Sequence, residues 1–399
     1  MTVLEGWQAT RHASTRFLPR GGAARAPRSL PQAWRATRAG ALVLLLASSG
    51  CGRPGGDADG VVFGAAGPWT AGYGMMNKRG MDLAVAEINA AGGVGGRPLR
   101  LLARDDEGSG AKAAAIAQEF VADPTVVAVV GHVNSGAMVA AARIYDGRLT
   151  AVATTATSPD LTGISPWVFR TISSDSSNGL DIARFARRLG RRRVAILYEN
   201  NSYGRGLTES FRRNFDGEVV SIDPIAEDAA DFEPYVAYFK ERAPDIVFVA
   251  GTERSGIGLL REARRQRLRA DFVGGDGWTG IVADTAASEG AYVGSPFTAE
   301  DPRPEARRFV AAFRERYHVD PDGNAALAYD ATMLLAKAVA ESGTDRAAVR
   351  DNLASLAERG GHAGVTGSIR FQESGDPLGR GIVMTRVHKG ALLVAEKKR

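Results

Sequence analysis

Apolar and polar positions along the chain follow two different periods in turn. Continuous apolar runs at residues 61–65 and 126–130 are typical of strands that are buried on both faces of a sheet. Between such runs, apolar residues recur at intervals of three and four, as in residues 79–91, and this spacing indicates helices. The alternation predicts an α/β protein in which helices cover both faces of parallel sheets.

The series of strands and helices occurs twice. A first series runs to about residue 172, and a second begins near Ser173. Two late runs, 368–371 and 382–387, are interpreted as closing strands around a turn at residues 375–376. The length of 399 residues suffices for two domains with full cores. The sequence thus predicts two doubly wound parallel-sheet lobes, and two such lobes usually enclose a ligand.

Polar residues follow several predicted strands at the point where each strand ends. In a doubly wound sheet, ligands bind beyond the carboxyl ends of the strands. One acid among several hydroxyl groups suggests a small zwitterion as the ligand. The residues are Ser135, Thr155, Thr157, Tyr203, Thr252 and Asp276.

The charge of the chain is concentrated at its beginning. The whole sequence has 50 basic and 45 acidic residues, whereas residues 1–50 hold seven arginines and one acid. The remaining residues, with 43 basic and 44 acidic side chains, are close to neutral. We therefore expect no nucleic-acid partner for the body of the protein.

Seven segments in order resemble those of bacterial extracellular solute-binding proteins for branched-chain amino acids and related compounds, which deliver ligand to ABC importers. The resemblance covers residues 61–395. The segments are 67–74 (GPWTAGYG), 86–96 (AEINAAGGVGG), 131–135 (GHVNS), 156–161 (ATSPDL), 202–206 (SYGRG), 274–277 (GGDG) and 366–371 (TGSIRF).

The resemblance implies the type I periplasmic-binding fold, in which two lobes are joined by a hinge and close on ligand in the cleft between them. The first lobe would comprise 61–172 and 297–375, and the second 173–296 and 376–399. The implied function is capture of an amino acid, branched-chain or related, and its delivery to an ABC permease. No enzymatic activity and no cofactor are expected.

The resemblance also implies residue roles on each lobe. Relatives hold the α-carboxylate with a serine, a threonine and backbone N–H groups, which correspond to Ser135, Thr157 and the amides near Ser135 and Thr155. Asp276 stands where relatives often have an acid for the ammonium group, and a carboxylate there forms a charge-assisted hydrogen bond. The alternatives are helix N-caps for Ser135 and Thr157 and a turn residue for Asp276.

Four aromatic residues are further candidates, two of them by resemblance. Tyr203 matches a tyrosine that contacts ligand from the second lobe, and Tyr73 matches an aromatic residue at the cleft rim. Trp278 and Trp69 are candidates for the side-chain pocket. A packing role is the alternative, since aromatic side chains are usually largely buried.

The chain departs from its relatives in ways that leave the ligand open. Thr252 stands where branched-chain binders usually carry an aromatic residue that contacts ligand, so the pocket is larger or receives a polar group. Glu107 and Asn134 occupy places where some relatives have a disulfide. Aromatic or polar amino acids, short amides and a urea-like solute are alternatives, as is a sensor that uses the same cleft.

The first 51 residues are interpreted as a signal peptide. Arg35 and Arg38 precede an apolar stretch at 39–50, which is shorter than the roughly 20 residues of a membrane span and suits a signal peptide. Cys51, the only cysteine, follows as in a bacterial lipobox and predicts lipidation, with 52–60 as a flexible linker. A periplasmic or extracellular, membrane-anchored protein follows, and a chance cysteine after an ordinary signal peptide is the alternative.

Other chemistry finds little support in the sequence. The five histidines have no metal-ligand spacing. His132 lies near Ser135, but we identify no acid that would orient it, so catalysis is not expected. Asp105 and Asp106 are interpreted as a solvated strand end, because adjacent strand residues point to opposite faces.

Overall fold

The computed structural model describes residues 60–395. The predicted signal peptide, Cys51 and the predicted linker up to residue 59 lie outside the described residues. None of the helices between Gly60 and Ala395 has the length and apolar composition that crossing a bilayer requires.

The described residues form strands and helices in alternation. The strands are β1 Val61–Gly67, β2 Leu99–Asp105, β3 Val126–Gly131, β4 Thr150–Ala153, β5 Val168–Arg170, β6 Arg193–Glu199, β7 Glu218–Ile225, β8 Ile246–Ala250, β9 Asp271–Gly274, β10 Tyr292–Ser295, β11 His362–Gly364, β12 Gly367–Ile369, β13 Val383–His388 and β14 Ala391–Val394. The helices are α1 Gly72–Ala90, α2 Gly110–Ala122, α3 Ser135–Tyr145, α4 Asp175–Arg188, α5 Ser202–Asn214, α6 Glu233–Arg242, α7 Glu253–Gln266, α8 Thr285–Ser288, α9 Pro304–Tyr317, α10 Gly323–Ser342 and α11 Arg346–Ala354. Two 3-10 helical segments are Pro159–Leu161 and Asp276–Ala283.

The first sheet is formed by the N-terminal series, in the order β2-β1-β3-β4-β5, and its neighbouring strands are all parallel. Separate apolar clusters cover its two faces. Phe63 shares one cluster with Leu335 of α10, whereas Val129 shares the other with Phe120 of α2 and Tyr145 of α3. The continuous apolar runs predict this doubly wound arrangement, because both faces of each strand must be buried.

The second sheet has the order β14-β13-β10-β9-β8-β6-β7. Five neighbouring strands are parallel, in the sheet order β7, β6, β8, β9 and β10. β13 pairs antiparallel with β10 and with β14, which forms the edge of the sheet. Phe248 shares a cluster with Phe211 of α5 on one face, and Val247 shares a cluster with Leu260 of α7 on the other. This sheet is therefore also covered by helices on both faces.

The interpretation of two closing strands around one turn is wrong in its pairing. β12 pairs with β11 in a separate two-stranded ribbon, whereas β13 joins β10 and β14 in the second sheet. The segment between them changes lobes. Asp376 forms a 2.6 Å ion pair with Arg170 at the end of β5, and β13 begins at Val383 in the other sheet. The late runs therefore flank a crossing between lobes.

The chain passes between the lobes three times, after β5, after β10 and after β12. α9 and α10 belong to the first lobe, since both pack with α1. Segments that connect two lobes can act as a hinge about which the lobes rotate. The lobe boundaries given above, 61–172 with 297–375 and 173–296 with 376–399, stay a prediction.

Candidate functional site

An open cleft lies between the lobes at the carboxyl ends of their parallel strands. About 590 Å³ of space without protein atoms, part of it open to solvent, lies between its walls. Six of the ligand-binding candidates line it, namely Tyr73, Ser135, Thr155, Tyr203, Thr252 and Asp276. The other lining residues are Gly108, Val133, Asn134, Gly136, Asn201, Glu227, Gly277 and Asn324.

Ser135 is the first residue of α3 and forms part of the first-lobe wall. Its Oγ accepts hydrogen bonds from the backbone N–H groups of Thr157 and Ser158, both at 3.1 Å, so it joins two strand-end turns and does not cap the helix. The N–H groups of Ser135 and Gly136 belong to the first turn, where backbone donors have no acceptor within the helix. Both residues line the cleft, and such a helix end favours an anion.

Thr155 and Thr157 lie in different environments. Thr155 lines the cleft, and its hydroxyl donates to the carbonyl of Val133 at 3.2 Å. Thr157 is fully buried and is not among the lining residues. The Thr157 side chain is therefore not placed for direct contact with a ligand in the cleft. Its backbone N–H donates the hydrogen bond that positions the Ser135 hydroxyl.

Asp276 and Tyr203 form the second-lobe wall. The Tyr203 hydroxyl donates to Oδ1 of Asp276 at 3.1 Å and accepts from the N–H of Gly277 at 3.1 Å. Burial raises the pKa of the Asp276 carboxyl to about 6, and hydrogen bonds from the backbone and from Tyr203 limit the rise. The carboxylate is thus ionised at neutral pH in a desolvated position, where a ligand cation would stabilise it.

Asp175 lies beside this pair at the start of α4. Burial, followed by the negative charge of Asp276, raises the pKa of Asp175 well above its ordinary value. Two neighbouring carboxyl groups in a desolvated position disfavour the ionisation of both at once. Asp276 lines the cleft, whereas Asp175 does not.

Thr252 lines the cleft at the start of α7 and is held by an acid that the sequence analysis missed. Its N–H and its hydroxyl donate to Oε1 of Glu199 at 2.8 and 2.7 Å, and the Ser255 hydroxyl donates to the same oxygen at 2.9 Å. Glu199 is 1% exposed. A sequence signal existed, because Glu199 is a charged residue directly after the apolar middle of β6.

Asn201 and Glu227 are two further cleft residues that the sequence analysis missed. The Asn201 amide donates to Oε1 of Glu227 at 2.7 Å, and its Oδ1 accepts from the N–H of Gly204 at the start of α5. Glu227 lies two residues after the end of β7, and both residues line the cleft. They therefore obey the same strand-end rule as the residues that were found.

Tyr73 and Asn134 face the cleft from the first lobe. The Asn134 amide donates to the Tyr73 hydroxyl at 3.0 Å, while the Asn134 Oδ1 is buried and has no partner among the described residues. Burial raises the pKa of Tyr73 to about 12, with further contributions from the charges of Glu199, Glu253 and Glu227. The negative field of the second lobe therefore extends across the cleft to Tyr73.

The two tryptophan candidates lie outside the cleft lining. Trp278 is fully buried in the core of the second lobe. Its ring occupies the space left by Gly274 and Gly256, where added Cβ atoms would lie 2.1 and 2.7 Å from it. Trp69 packs against the first-lobe core and Gly67. Both expectations of a pocket role are thus corrected to packing roles.

His132 is held by an acid, contrary to the sequence analysis, but not in a catalytic arrangement. Its Nδ1 lies 2.6 Å from Oδ2 of Asp106, and its Nε2 lies 3.0 Å from the Tyr145 hydroxyl. All three side chains are fully buried. The interpretation of Asp106 as a solvated strand end is therefore wrong. Both ring nitrogens are occupied, so His132 gives Ser135 no general base.

Glu253 of the second lobe reaches the first lobe across the cleft. Its carboxylate accepts hydrogen bonds from the N–H groups of Gly72 and Tyr73 at the start of α1. A Cβ atom at Gly72 would lie 2.4 Å from its Oε1, so the absence of a side chain there makes room for the contact. A carboxylate at a helix N-terminus is favourable, and this pair holds the lobes together.

A second contact between the lobes is polar. The Asn324 amide of α10 donates to the Thr279 hydroxyl at 3.0 Å, and that hydroxyl lies 3.3 Å from the Asp322 carboxylate. Both contacts are possible only while the lobes are near each other.

The fold and this cleft define a two-lobed binding protein, and comparison with known proteins agrees. The periplasmic binding protein family matches residues 60–391, and the chain belongs to that family. A leucine-, isoleucine-, valine-, threonine- and alanine-binding protein of Pseudomonas aeruginosa is 30% identical over 349 residues, which cover 84% of this chain and 91% of the relative.

Solved structures show the same similarity. A Streptococcus pneumoniae branched-chain amino acid transporter substrate-binding protein, LivJ, in complex with isoleucine, is 27% identical and has a TM-score of 0.78 over 84% of this chain and 97% of that one. An ABC transporter substrate-binding protein from Desulfitobacterium hafniense, in complex with leucine, is 33% identical with a TM-score of 0.73 over 84% and 99%.

Proposed function

We propose that this protein is the extracytoplasmic substrate-binding subunit of an ABC importer and that it captures an amino acid, branched-chain or related. One observation carries the proposal. The free N–H groups at the start of α3 on the first lobe face the same cleft as the Asp276 carboxylate on the second lobe. An anion site opposite a carboxylate is complementary to a zwitterion.

The first lobe would bind the α-carboxylate. Its donors are the N–H groups of Ser135 and Gly136 and the Ser135 hydroxyl, and the Thr155 hydroxyl would join them on giving up its bond to the Val133 carbonyl; all three residues line the cleft. Thr157 acts indirectly through its bond to Ser135. Bonds to a charged acceptor are about twice as strong as neutral ones, so this wall fixes the orientation of the ligand.

The second lobe would bind the ammonium group. Asp276 supplies the negative charge, and Tyr203 holds one of its carboxylate oxygens, Oδ1. Ligand that touches both walls stabilises the closed arrangement by its difference in affinity for the closed and open forms. The closed outer surfaces would then be recognised by the permease.

The leader belongs to the same proposal. Lipidation at Cys51 would tether the protein to the membrane outside the cytoplasm, next to its permease. Mass spectrometry of the N-terminal peptide of the membrane-bound protein tests this proposal. A diacylglyceryl group on Cys51 supports it, and an unmodified N-terminus after cleavage elsewhere contradicts it.

A thermal-shift screen of the purified protein tests the choice of ligand. The panel contains L-amino acids, short amides and urea, because the alternative function is a sensor of amides or other small solutes. A ligand that binds only the folded form raises the melting temperature by mass action. A shift with amino acids supports the proposal, whereas a shift with amides or urea alone contradicts it and favours the sensor.

A further inference from the structure

The lining of the cleft has an unbalanced charge. Among its residues, Asp276 and Glu227 are carboxylates, and the lining contains no Lys, Arg or His. In the function proposed above, Asp276 meets the ligand ammonium and the helix α3 meets the ligand carboxylate. Glu227 is then a second negative charge that a ligand with only those two charges does not compensate.

Glu227 belongs to a chain of polar groups along the second-lobe wall. Asn201 donates its amide to Oε1 of Glu227 at 2.7 Å and lies 3.4 Å from Oε2 of Glu199, whose other oxygen holds Thr252. Within residues 60–395, Asn201 is the hydrogen-bond partner of Glu227, so Oε2 of Glu227 remains free to accept. Arg205 and Arg254, in the helices that follow these loops, donate to the carbonyl groups of Asn200 and Asp228 and do not line the cleft.

The opposite wall also offers an acceptor. The Asn134 Oδ1 is buried in the lining without a donor, because the amide nitrogen of Asn134 is used on Tyr73. The rise in the pKa of Tyr73 includes the charges of Glu199 and Glu227, which places this part of the cleft in the same negative field. An aliphatic side chain would leave the buried Asn134 Oδ1 unpaired, at a cost to binding.

Two other acids near the cleft already accept hydrogen bonds from backbone N–H groups at the N-termini of helices. Glu253 accepts from the N–H groups at the start of α1, and Asp322 caps α10 through the N–H of Ala325. Each lies at the positive end of a helix dipole. Glu227 is the lining carboxylate that lacks both such a helix end and the predicted ammonium partner.

We propose that the cleft selects amino acids with a cationic, N–H-bearing side chain over aliphatic ones, and that Glu227 is the residue that determines this specificity. This inference rests on the proposed function, because the ligand must enter with its α-carboxylate on α3. Its side-chain cation then lies against Glu227, and its N–H groups supply the donors that the walls lack.

Isothermal titration of the full-length protein at low salt with L-arginine, L-lysine, L-leucine and L-valine tests the inference. The expected result is tighter binding of arginine and lysine than of leucine and valine. Glu227→Gln keeps the shape of the side chain and removes its charge. The affinity for arginine should therefore fall about three- to fivefold, as expected for the loss of an exposed ion pair. The affinity for leucine should be unchanged. Added salt should reproduce part of the loss in the wild type only.

Glu241→Gln is the matched control, since Glu241 is an exposed residue of α6 outside the cleft, and it should leave both affinities unchanged. Glu227 is exposed, so its variant should keep the melting temperature of the free protein. Tighter binding of leucine than of arginine, or an arginine-to-leucine ratio that Glu227→Gln does not change, would overturn the inference and leave the amino-acid function standing. Lack of binding by every amino acid would overturn the proposed function itself.

Discussion

The Tyr203 hydroxyl donates a hydrogen bond to Oδ1 of Asp276 across 3.1 Å, while it accepts one from the N–H of Gly277. This relay orients the half-buried carboxylate toward the cleft and stabilises its charge. Tyr203 lies in α5 and Asp276 follows β9, so two separate strand-to-helix turns of the second lobe build one acceptor.

Tyr203→Phe removes this donor without removing the ring. The Asp276 carboxylate then loses a charge-assisted bond, so we expect amino-acid affinity to fall about five- to tenfold. Titration calorimetry measures the change. Tyr238→Phe, at an exposed tyrosine of α6, is the control and should bind as the wild type does. Equal affinity of Tyr203→Phe and wild type would show that the relay does not matter for binding.

Ligand affinity should fall as the pH drops through about 6. The pKa of Asp276 is raised from 3.8 to about 6 by burial, so acid below that value protonates the group that holds the ammonium. Binding measured from pH 8 to pH 4.5 checks this, and Asp276→Asn should bind weakly with a flat profile. A wild-type affinity that is constant through pH 6 contradicts the role of Asp276.

The same group should affect the stability of the ligand-free protein with the opposite sign. A carboxyl with a raised folded pKa destabilises the fold while it is ionised, above about pH 6. That penalty is relieved as the pH falls from about 6 toward 3.8. The free energy of unfolding of wild type relative to Asp276→Asn should therefore increase over this interval, as urea titrations at each pH would show.

The contact between Glu253 and the start of α1 should set the closing equilibrium. In Gly72→Ala the new methyl group would lie 2.4 Å from Oε1 of Glu253, so the lobes must separate or the glutamate must move away. We expect a more open protein and an affinity reduced about threefold or more, because ligand must then drive a less favourable closure. The radius of gyration from small-angle scattering measures the opening.

Gly110→Ala is the control for that variant. Gly110 is also the first residue of a helix, and an added Cβ atom would approach its neighbours no closer than 3.4 Å. It should scatter and bind as the wild type does. If Gly72→Ala is as compact as Gly110→Ala with the same affinity, Glu253 does not act in closure.

The buried Asp106 and His132 pair should stabilise the turns next to the cleft. Asp106→Ala leaves a buried imidazole nitrogen without its hydrogen-bond partner, and such a loss costs about 1–3 kcal/mol of unfolding free energy. Asp105→Asn, at the half-buried neighbour, should cost far less. Chemical denaturation of both variants compares them, and equal losses would contradict the importance of the pair.

The sequence predicts the position of cleft residues well because the relevant signal is local. An apolar run ends where its strand leaves the sheet, so Ser135, Thr155 and Asp276 could be placed at the carboxyl edge from their neighbours alone. Glu199 and Glu227 obey the same rule, and a stricter application of it to charged residues would have found them.

The direction in which a side chain points and the residues that it contacts could not be predicted in the same way, because both depend on residues far away in the sequence. Trp278 turns into the core since Gly256 and Gly274 leave room for its ring. Asp106 is buried because His132 lies 26 residues later at the adjacent turn. Neither contact has a signature within the local sequence.

The central claim is that one ligand bridges the N-terminus of α3 and Asp276. The most direct measurement is titration calorimetry of wild type and Asp276→Asn with the best-binding amino acid and two analogues, its carboxamide and its deaminated acid. We predict that wild type binds the amino acid far more tightly than either analogue, and that Asp276→Asn loses most of the preference for the amino acid over the deaminated acid. If the deaminated acid binds wild type as tightly as the amino acid does, the ammonium is not recognised and the claim is wrong.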